Sequence, residues 1–251
     1  MNIEKLLAPD FAFGKLLCVA RAVVDALILL LRSPSKQSFK CILLAFRVIP
    51  GYTMVSIPRL INLYKLVKEV KNLNIEGDIV ECGVWNGGSS VIMGAALHEN
   101  KSKRQERNMW LFDSFQGVPH PGEKDGKREK KDFFKGWNKG DINKVKKIFN
   151  KLKMPLDKVN IIPGWFNETL RNTNIDRISL LHIDADWYDS IKEVLNTLYN
   201  KVTPGGFIVF DDYFRWEGCQ RAVQDFFQEY NINNITIVKV DKHAAYFQKP
   251  E

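Results

Sequence analysis

Acidic residues that directly follow short apolar runs are the feature of this sequence with the clearest chemical potential. Asp184 closes a run that begins at Ile178, and Asp211 and Asp212 follow the run Gly206–Phe210. Carboxylates that are held together repel one another unless a cation lies between them. Oxygen ligands select a hard ion such as Mg²⁺. The sequence therefore predicts a magnesium site, with helix capping as the structural alternative for the Asp211-Asp212 pair.

A glycine-rich turn, Gly83-Val84-Trp85-Asn86-Gly87-Gly88, is the second constellation. It lacks the G-x-G-x-x-G spacing of nicotinamide enzymes and the Lys-Ser/Thr of a P-loop. Glu81 could meet the cationic aminoacyl end of a ligand, and Asp113 is placed to accept both hydroxyls of a ribose. S-adenosylmethionine, a nucleoside with a positively charged amino-acid tail, fits both. By itself the turn is equally well explained as a tight connection between a strand and a helix.

Asp186 and His182 stand two residues to either side of Asp184. Displacement at a sulfonium methyl group needs a deprotonated nucleophile, so a base should lie near the metal. In an extended chain Asp186 leaves on the same side as Asp184, which makes Asp186 the predicted base. Asp184 is predicted to be catalytic as a ligand of the ion that activates and fixes the hydroxyl. His182 is interpreted as a core histidine or one that supports the site.

A set of five short apolar runs, alternating with helical patterns, must position these residues. The runs cover 78–82, 109–113, 159–162, 178–184 and 206–210, and the helical patterns cover 57–73, 88–100, 141–152, 187–200 and 217–230. Such alternation predicts an α/β fold with a parallel sheet covered by helices on both faces. Ligands of these sheets bind beyond the carboxyl ends of the strands, where the acidic residues stand. The runs 235–240 and 244–248 predict a closing hairpin.

The first 50 residues are predicted to form a helical extension to a main domain, 51–251, which carries the sheet. Within the extension an apolar stretch, 11–31, is interrupted by Lys15, Arg21 and Asp25, and its longest run without charge is six residues. A membrane-spanning helix needs about 20 apolar residues. We therefore expect this stretch to pack on the protein, and a neighbouring subunit or a peripheral membrane contact is left open.

The net charge of +8 is concentrated in one segment. Residues 101–160 hold 17 Lys and Arg against 8 Asp and Glu, which leaves the remainder at −1. A nucleic-acid binder spreads its basic residues along a groove with stacking aromatics, so no nucleic-acid partner is predicted. The segment is interpreted as a solvated surface or as a basic lid, about 118–153, that favours an anionic acceptor or a membrane surface.

The composition and the cysteines narrow the class of protein further. With 45% hydrophobic and 26% charged residues, the chain is globular rather than disordered. Its four cysteines are too dispersed for a zinc knuckle or a disulfide framework. They indicate a reducing, cytoplasmic compartment, with association to a membrane left open.

Six ordered motifs resemble those of the macrocin O-methyltransferase family, whose members methylate sugar hydroxyls of macrolides and related natural products. The motifs are YTMVS (52–56), GDIVECGVWNGGSS (77–90), LFDSFQGVP (111–119), GWFNETL (164–170), LLHIDADWYDS (180–190) and TPGGFIVFDDY (203–213). The resemblance implies a class I methyltransferase fold, Rossmann-like, with a mostly parallel seven-stranded sheet and an antiparallel hairpin at its end. It also implies S-adenosylmethionine and Mg²⁺ as cofactors.

The resemblance also implies roles for individual residues. It assigns the metal to Asp184, Asp211 and Asp212 and the base to Asp186. The implied cofactor contacts are Thr53, Met54, Glu81, Cys82, Gly83, Asp113, Ser114, Gly164, Trp165, Phe166 and Asp184. Catechol methyltransferases have a lysine three residues after the first metal aspartate, where this chain has Trp187. That difference argues against the catechol branch.

The predicted function is methylation of a hydroxyl on a sugar moiety of a small metabolite or glycan, by a chain whose oligomeric state is left open. An RNA methyltransferase is disfavoured because the Asn-Pro-Pro-Tyr type of loop is missing and no appended RNA-binding module is evident. A binding or scaffold protein that retains the fold is the third hypothesis. Under it, the carboxylates would be dispensable.

Overall fold

A single sheet organises the fold in the computed structural model, which describes residues 12–32, 34–99 and 107–250. Its strands are β1 (Asp78–Cys82), β2 (Met109–Asp113), β3 (Val159–Pro163), β4 (Ile178–Ile183), β5 (Val202–Phe210), β6 (Val238–Lys239) and β7 (Ala245–Gln248). Within the described residues the order across the sheet is β3-β2-β1-β4-β5-β7-β6. Strands β1 to β5 are parallel, whereas β7 pairs antiparallel with both β5 and β6.

The strand order reverses between β1 and β4. From β1 the chain winds outward to β2 and β3, and it then returns to the other side of β1 to place β4 and β5. Two strands that send their connections in opposite directions leave a crevice at their carboxyl ends, where ligands of open α/β sheets bind. The fold therefore places the crevice beside Gly83 and Asp184, the residues that follow β1 and β4.

Helices cover both faces of the sheet. They are α1 (Ala12–Arg32), α2 (Lys36–Val48), α3 (Ile57–Asn72), α4 (Gly88–His98), α5 (Lys127–Asp132), α6 (Ile142–Lys151), α7 (Phe166–Thr169), α8 (Tyr188–Leu198) and α9 (Glu217–Glu229). Because side chains alternate along a strand, Ile79 packs with α3 and α4 while Val80 packs with α8 and α9. The core thus consists of two apolar layers, one on each face.

The sequence prediction of an α/β fold with a parallel sheet and a closing hairpin is confirmed. Strand β5 begins at Val202, four residues before the predicted run, because Val202 pairs with Ile178 across an irregularity in the register. Strand β6 is shorter than predicted, since only Val238 and Lys239 pair with β7. The domain boundary near residue 50 stays a prediction, and α1 and α2 contact α3.

Candidate active site

A cavity of about 600 Å³ opens at the carboxyl ends of β1, β2, β4 and β5. It brings together residues from all six motifs, which are far apart in the sequence. The predicted site residues in its lining are Thr53, Met54, Gly83, Asp113, Ser114, Gly164, Trp165, Phe166, Asp184, Asp186, Asp211 and Asp212. Such convergence of polar groups at the strand ends is typical of a binding site.

Three carboxylates lie close together in the floor of this cavity. One oxygen from each of Asp184, Asp211 and Asp212 lies within 4.8 Å of the others. Burial, together with the negative charge of neighbouring carboxylates, raises the pKa of Asp184 and of Asp212 well above the ordinary value. A divalent ion would remove this penalty, and three carboxylates are the ligands that Mg²⁺ prefers. The donor set therefore fits the predicted metal.

Arg59 on α3 is a charged member of this site that the sequence analysis did not single out. Its guanidinium forms a buried ion pair with Asp211, and its Nε lies 3.3 Å from Asp241 Oδ2. Burial alone would raise the pKa of Asp211, but Arg59 holds it below its ordinary value. One sequence feature could have identified Arg59: it is a charged residue in the first turn of the helix, next to Leu60, on a face that is otherwise apolar.

Asp186 is held beside the acidic group by an unusual backbone and a tryptophan. Its φ of 56° lies in the left-handed region, which turns the chain out of β4. Trp216 Nε1 donates a hydrogen bond of 2.8 Å to Asp186 Oδ1. Burial raises the pKa of Asp186, despite the opposing effects of Arg215 and Trp216. The carboxylate is thus oriented and has gained proton affinity, as a general base requires.

The glycine turn is built around Asp113. Gly83 has a φ of 96°, and a Cβ at this position would overlap the carbonyl oxygen of Asp184. Asp113 Oδ2 accepts hydrogen bonds of 2.8 Å from the backbone N–H groups of Val84 and Trp85, and Oδ1 accepts one of 2.6 Å from Phe115. Asp113 therefore fixes the turn, and its lone pairs that remain are available to a ligand in the cavity.

Glu81 and Cys82 do not line the cavity. Both side chains are fully buried in β1. Glu81 accepts hydrogen bonds from Ser90 Oγ and from His182 Nδ1, the latter at 3.0 Å. Neither residue is in the cavity lining, and their contact with the cofactor stays a prediction.

His182 lies between Glu81 and the acidic group, which agrees with its interpretation as a residue that supports the site. Its Nε2 lies 3.9 Å from Asp211 Oδ1. Burial alone would lower the pKa of His182, but Asp211 and Glu81 raise it to about 9. The imidazolium therefore compensates the buried negative charge on both sides.

Aromatic side chains form another part of the cavity wall. Trp137 and Trp216 line the cavity, and their ring centroids lie 6.1 Å apart at 84°. Trp187, which occupies the position of the catechol-branch lysine, is buried against both rings and donates its indole N–H to Pro119 O at 2.8 Å. This wall offers an apolar surface to an acceptor rather than a further charge.

The basic stretch 118–153 contributes Val118, Pro119, Trp137 and Asn138 to the cavity, but no lysine in the described part of the stretch lines it. Lys124, for example, donates hydrogen bonds to Tyr188 Oη at 2.7 Å and to Asp225 Oδ2 at 2.9 Å. The stretch folds into the short helix α5, α6 and connecting loops. Direct contact between its lysines and an anionic acceptor is therefore not a feature of this structure.

The sheet order, the glycine turn after β1 and the acidic group after β4 and β5 define a class I methyltransferase. The chain belongs to the macrocin O-methyltransferase (TylF) family, whose family model matches residues 47–249. It is thus an O-methyltransferase, and the predictions of family and of enzyme class are confirmed. The match begins within the last turn of α2, so most of the N-terminal extension lies outside it.

Relatives with assigned activities support this membership. The chain is 32% identical over 202 residues to the demethyldecarbamoylnovobiocin O-methyltransferase of Streptomyces niveus. It is 34% identical over 202 residues to the 8-demethyl-8-(2,3-dimethoxy-alpha-L-rhamnosyl)-tetracenomycin-C 4'-O-methyltransferase of Streptomyces olivaceus. Each alignment covers 79% of this chain and 76% of the relative.

Solved structures agree with the fold. The structure of the O-methyltransferase NovP superposes with a TM-score of 0.73 at 32% identity, covering 80% of this chain and 83% of NovP. The calicheamicin methyltransferase CalS11 superposes with a TM-score of 0.64 at 19% identity, over 91% of each chain. At 19% identity, the likeness to CalS11 shows a shared fold only.

Proposed function

We propose that this enzyme transfers a methyl group from S-adenosylmethionine to a hydroxyl of a sugar moiety in a small metabolite or glycan, with Mg²⁺ at the acidic group. One observation carries the proposal: the three clustered carboxylates lie in the same cavity as the Gly83 turn and Asp113. The relatives' names support the acceptor class, since two of them are a rhamnosyl 4'-O-methyltransferase and a mycinamicin III 3''-O-methyltransferase.

The cofactor would lie over the carboxyl ends of β1 and β2. Gly83 permits close approach of a ligand to the backbone, and Asp113 has acceptor capacity towards a ribose. Thr53 and Met54, which precede α3, and the turn Gly164-Trp165-Phe166 line the same cavity. S-adenosylmethionine supplies an electrophilic methyl carbon on its sulfonium.

The metal would be held by Asp184, Asp211 and Asp212. When bound, Mg²⁺ lowers the pKa of a hydroxyl in contact with it and fixes that oxygen for an in-line displacement. Arg59 keeps Asp211 ionised, so this carboxylate is ready to act as a ligand. Asp184 and Asp212, whose pKa values are raised, gain most from a positive charge between them.

Asp186 is the proposed base. The proton of the acceptor hydroxyl passes to Asp186 while the oxygen forms its bond to the methyl carbon and the carbon–sulfur bond breaks. Trp216 orients the carboxylate through its N–H. Because burial raises the pKa of Asp186, its affinity for that proton exceeds that of an exposed aspartate.

The acceptor sugar would pack on the aromatic wall of Trp137 and Trp216. An anionic group on the acceptor stays part of the proposal, supported by the +9 charge of residues 101–160. Since lysines of that segment do not line the cavity in the described residues, the charge would act by attracting the acceptor from solution. A fall of kcat/KM with ionic strength for a charged acceptor, and its absence for a neutral one, would support this attraction.

Isothermal calorimetry and a methyl-transfer screen test the proposal together. The protein is titrated with S-adenosylmethionine in the presence of Mg²⁺ and in the presence of a chelator, and nucleotide sugars and rhamnosides are then supplied as acceptors. Asp184→Asn should abolish Mg²⁺-dependent transfer, while Asp189→Asn, a neighbouring carboxylate outside the acidic group, should still bind Mg²⁺. Transfer that is equally fast in chelator would overturn the metal's role.

A further inference from the structure

Helix α1 presents its large apolar side chains to solvent. In the part of the chain that the structure describes, eight large apolar residues of α1 are exposed. Leu16, Val24, Leu27 and Leu31 are the most open, with exposed fractions of 65, 54, 57 and 84%. A surface helix of a globular protein normally turns such residues towards the core. Here the pattern is reversed.

Two alanines of α1, with the partly buried Leu29 and Leu30, make its contact with the protein. Ala22 and Ala26 are buried and belong to the core layer that contains α2 and α3. At about 100° per residue, the exposed apolar residues occupy roughly half of the helix circumference. This outer face of α1 contains no charged residue: Arg21 lies at one border, whereas Lys15 and Asp25 lie on the side of the two alanines.

Helix α2 carries a second exposed apolar stripe. Phe39, Leu43 and Phe46 are exposed by 52, 52 and 39% and follow one another at steps of four and three residues. The opposite side of α2, with Cys41, Ile42 and Ala45 among others, is buried. Both helices of the N-terminal extension therefore bury one apolar side and expose further apolar side chains to solvent.

The charge of this extension indicates which kind of partner surface would cover its exposed apolar residues. Residues 12–48 contain six Lys and Arg and a single Asp. Arg21 lies 3.9 Å from Asp25, and Lys40 forms an ion pair with Glu99. A second copy of the chain would bring two such positive segments together. In addition, the apolar contact between two paired helices is narrower than the half of the helix circumference that is apolar here. An anionic lipid surface satisfies both the width and the charge.

We propose that α1 and α2 attach this enzyme to the surface of an anionic membrane. The apolar side chains enter the boundary between headgroups and acyl chains, while Lys15 and Lys36 reach the anionic headgroups. The attachment is peripheral, since no helix in the described part of the chain is long and apolar enough to cross a membrane. It is independent of the proposed reaction, because the extension lies mostly outside the family match that begins at residue 47.

Vesicle co-sedimentation tests this attachment with the full-length protein. The probes are vesicles of phosphatidylcholine alone and vesicles that also contain phosphatidylglycerol. We expect binding to the anionic vesicles, weaker binding to the neutral ones, and a decrease at high salt. Replacing Lys15 and Lys36 by Gln should weaken binding to the anionic vesicles by about fivefold per lysine.

Three outward-facing leucines provide the decisive variant. The triple change Leu16→Gln, Leu27→Gln and Leu31→Gln should lower partitioning by about tenfold or more for each leucine. Leu73→Gln is the matched control, since Leu73 is 54% exposed but follows α3. Circular dichroism and binding of S-adenosylmethionine should be unchanged in the triple variant.

Three results would overturn the proposal. The first is that wild-type protein fails to sediment with either vesicle, and the second is that the triple variant binds anionic vesicles as tightly as wild type. The third concerns mass by light scattering: a wild-type dimer that the triple variant converts to a monomer would assign the outer face to a second copy of the chain.

Discussion

Arg59 and Asp211, which are 152 residues apart in the sequence, form a buried ion pair between α3 and the end of β5. Both side chains are more than nine-tenths buried. The pair therefore joins the segment that leads into the catalytic domain to one of the three clustered carboxylates. Asp241, which accepts a hydrogen bond of 2.8 Å from Ser56 Oγ, lies on the other side of the same guanidinium.

Arg59→Gln should destabilise the protein by about 3–5 kcal/mol, because it leaves a buried carboxylate without its cation. Urea unfolding in the presence of a chelator measures this loss. The double variant Arg59→Gln with Asp211→Asn should recover part of the stability. If the double variant recovers no stability, Arg59 stabilises the protein through Asp241 or through packing instead.

Gly83→Ala should both destabilise the protein and abolish binding of S-adenosylmethionine. The added Cβ would overlap the carbonyl oxygen of Asp184, and the φ of 96° is unfavourable for alanine. Strain of this kind costs about 1–3 kcal/mol before the steric overlap is counted. Gly51→Ala is the control, since its Cβ would meet nothing within 4 Å, and it should change stability by less than about 0.5 kcal/mol. Calorimetry and thermal unfolding distinguish the two variants.

The sequence was sufficient for the sheet and for the glycine turn and acidic residues that line the cavity. Alternation of apolar runs with helical patterns predicted the parallel strands, and the rule that ligands bind at their carboxyl ends brought Asp113, Asp184 and Asp211 to one edge. These residues stand directly at strand ends, so an error of one or two residues in a strand boundary does not move them out of the site. Their placement follows from topology.

Contacts between distant segments could not be predicted in this way. The periodicity of 57–73 shows that Arg59 belongs to an amphipathic helix, but only the fold places it against Asp211. The same limit applies to Glu81, whose partners Ser90 and His182 come from α4 and β4. The charge count of 101–160 likewise gives the number of lysines but not where their side chains lie. The lysines that the structure describes in this segment do not line the cavity.

Asp184→Asn should raise the thermal stability of the metal-free protein. Burial and the repulsion from Asp211, Asp212 and Asp186 raise the pKa of Asp184, so its ionised form is unfavourable without a cation. With Mg²⁺ the order should reverse, because wild type gains stability from the ion and the variant does not. Thermal unfolding of both proteins with chelator and with Mg²⁺ checks this crossing. Equal gains in both proteins would exclude Asp184 as a ligand.

His243 should make the protein sensitive to mild acid. Burial, with a contribution from Arg215 and Arg59, lowers the pKa of His243 from 6.5 to about 4. The unfolded chain therefore binds a proton at higher pH than the folded protein, and stability falls as the pH decreases from 6.5 towards 4. His243→Gln should lose less stability over this interval than wild type. Thermal unfolding at a series of pH values measures the difference, and parallel curves would contradict the assignment.

Trp216→Phe should lower kcat by about tenfold or more with little change in KM for the acceptor. The change removes the N–H that orients Asp186 Oδ1, a hydrogen bond of 2.8 Å to an ionisable group, and keeps most of the aromatic wall. Trp187→Phe is the matched control: it also shortens a buried indole in the same cluster, but its lost hydrogen bond goes to Pro119 O. Both variants should lose comparable stability, whereas only Trp216→Phe should slow transfer under saturating acceptor. Equal kcat values for the two variants would show that Trp216 serves packing alone and would leave Asp186 without its orienting partner.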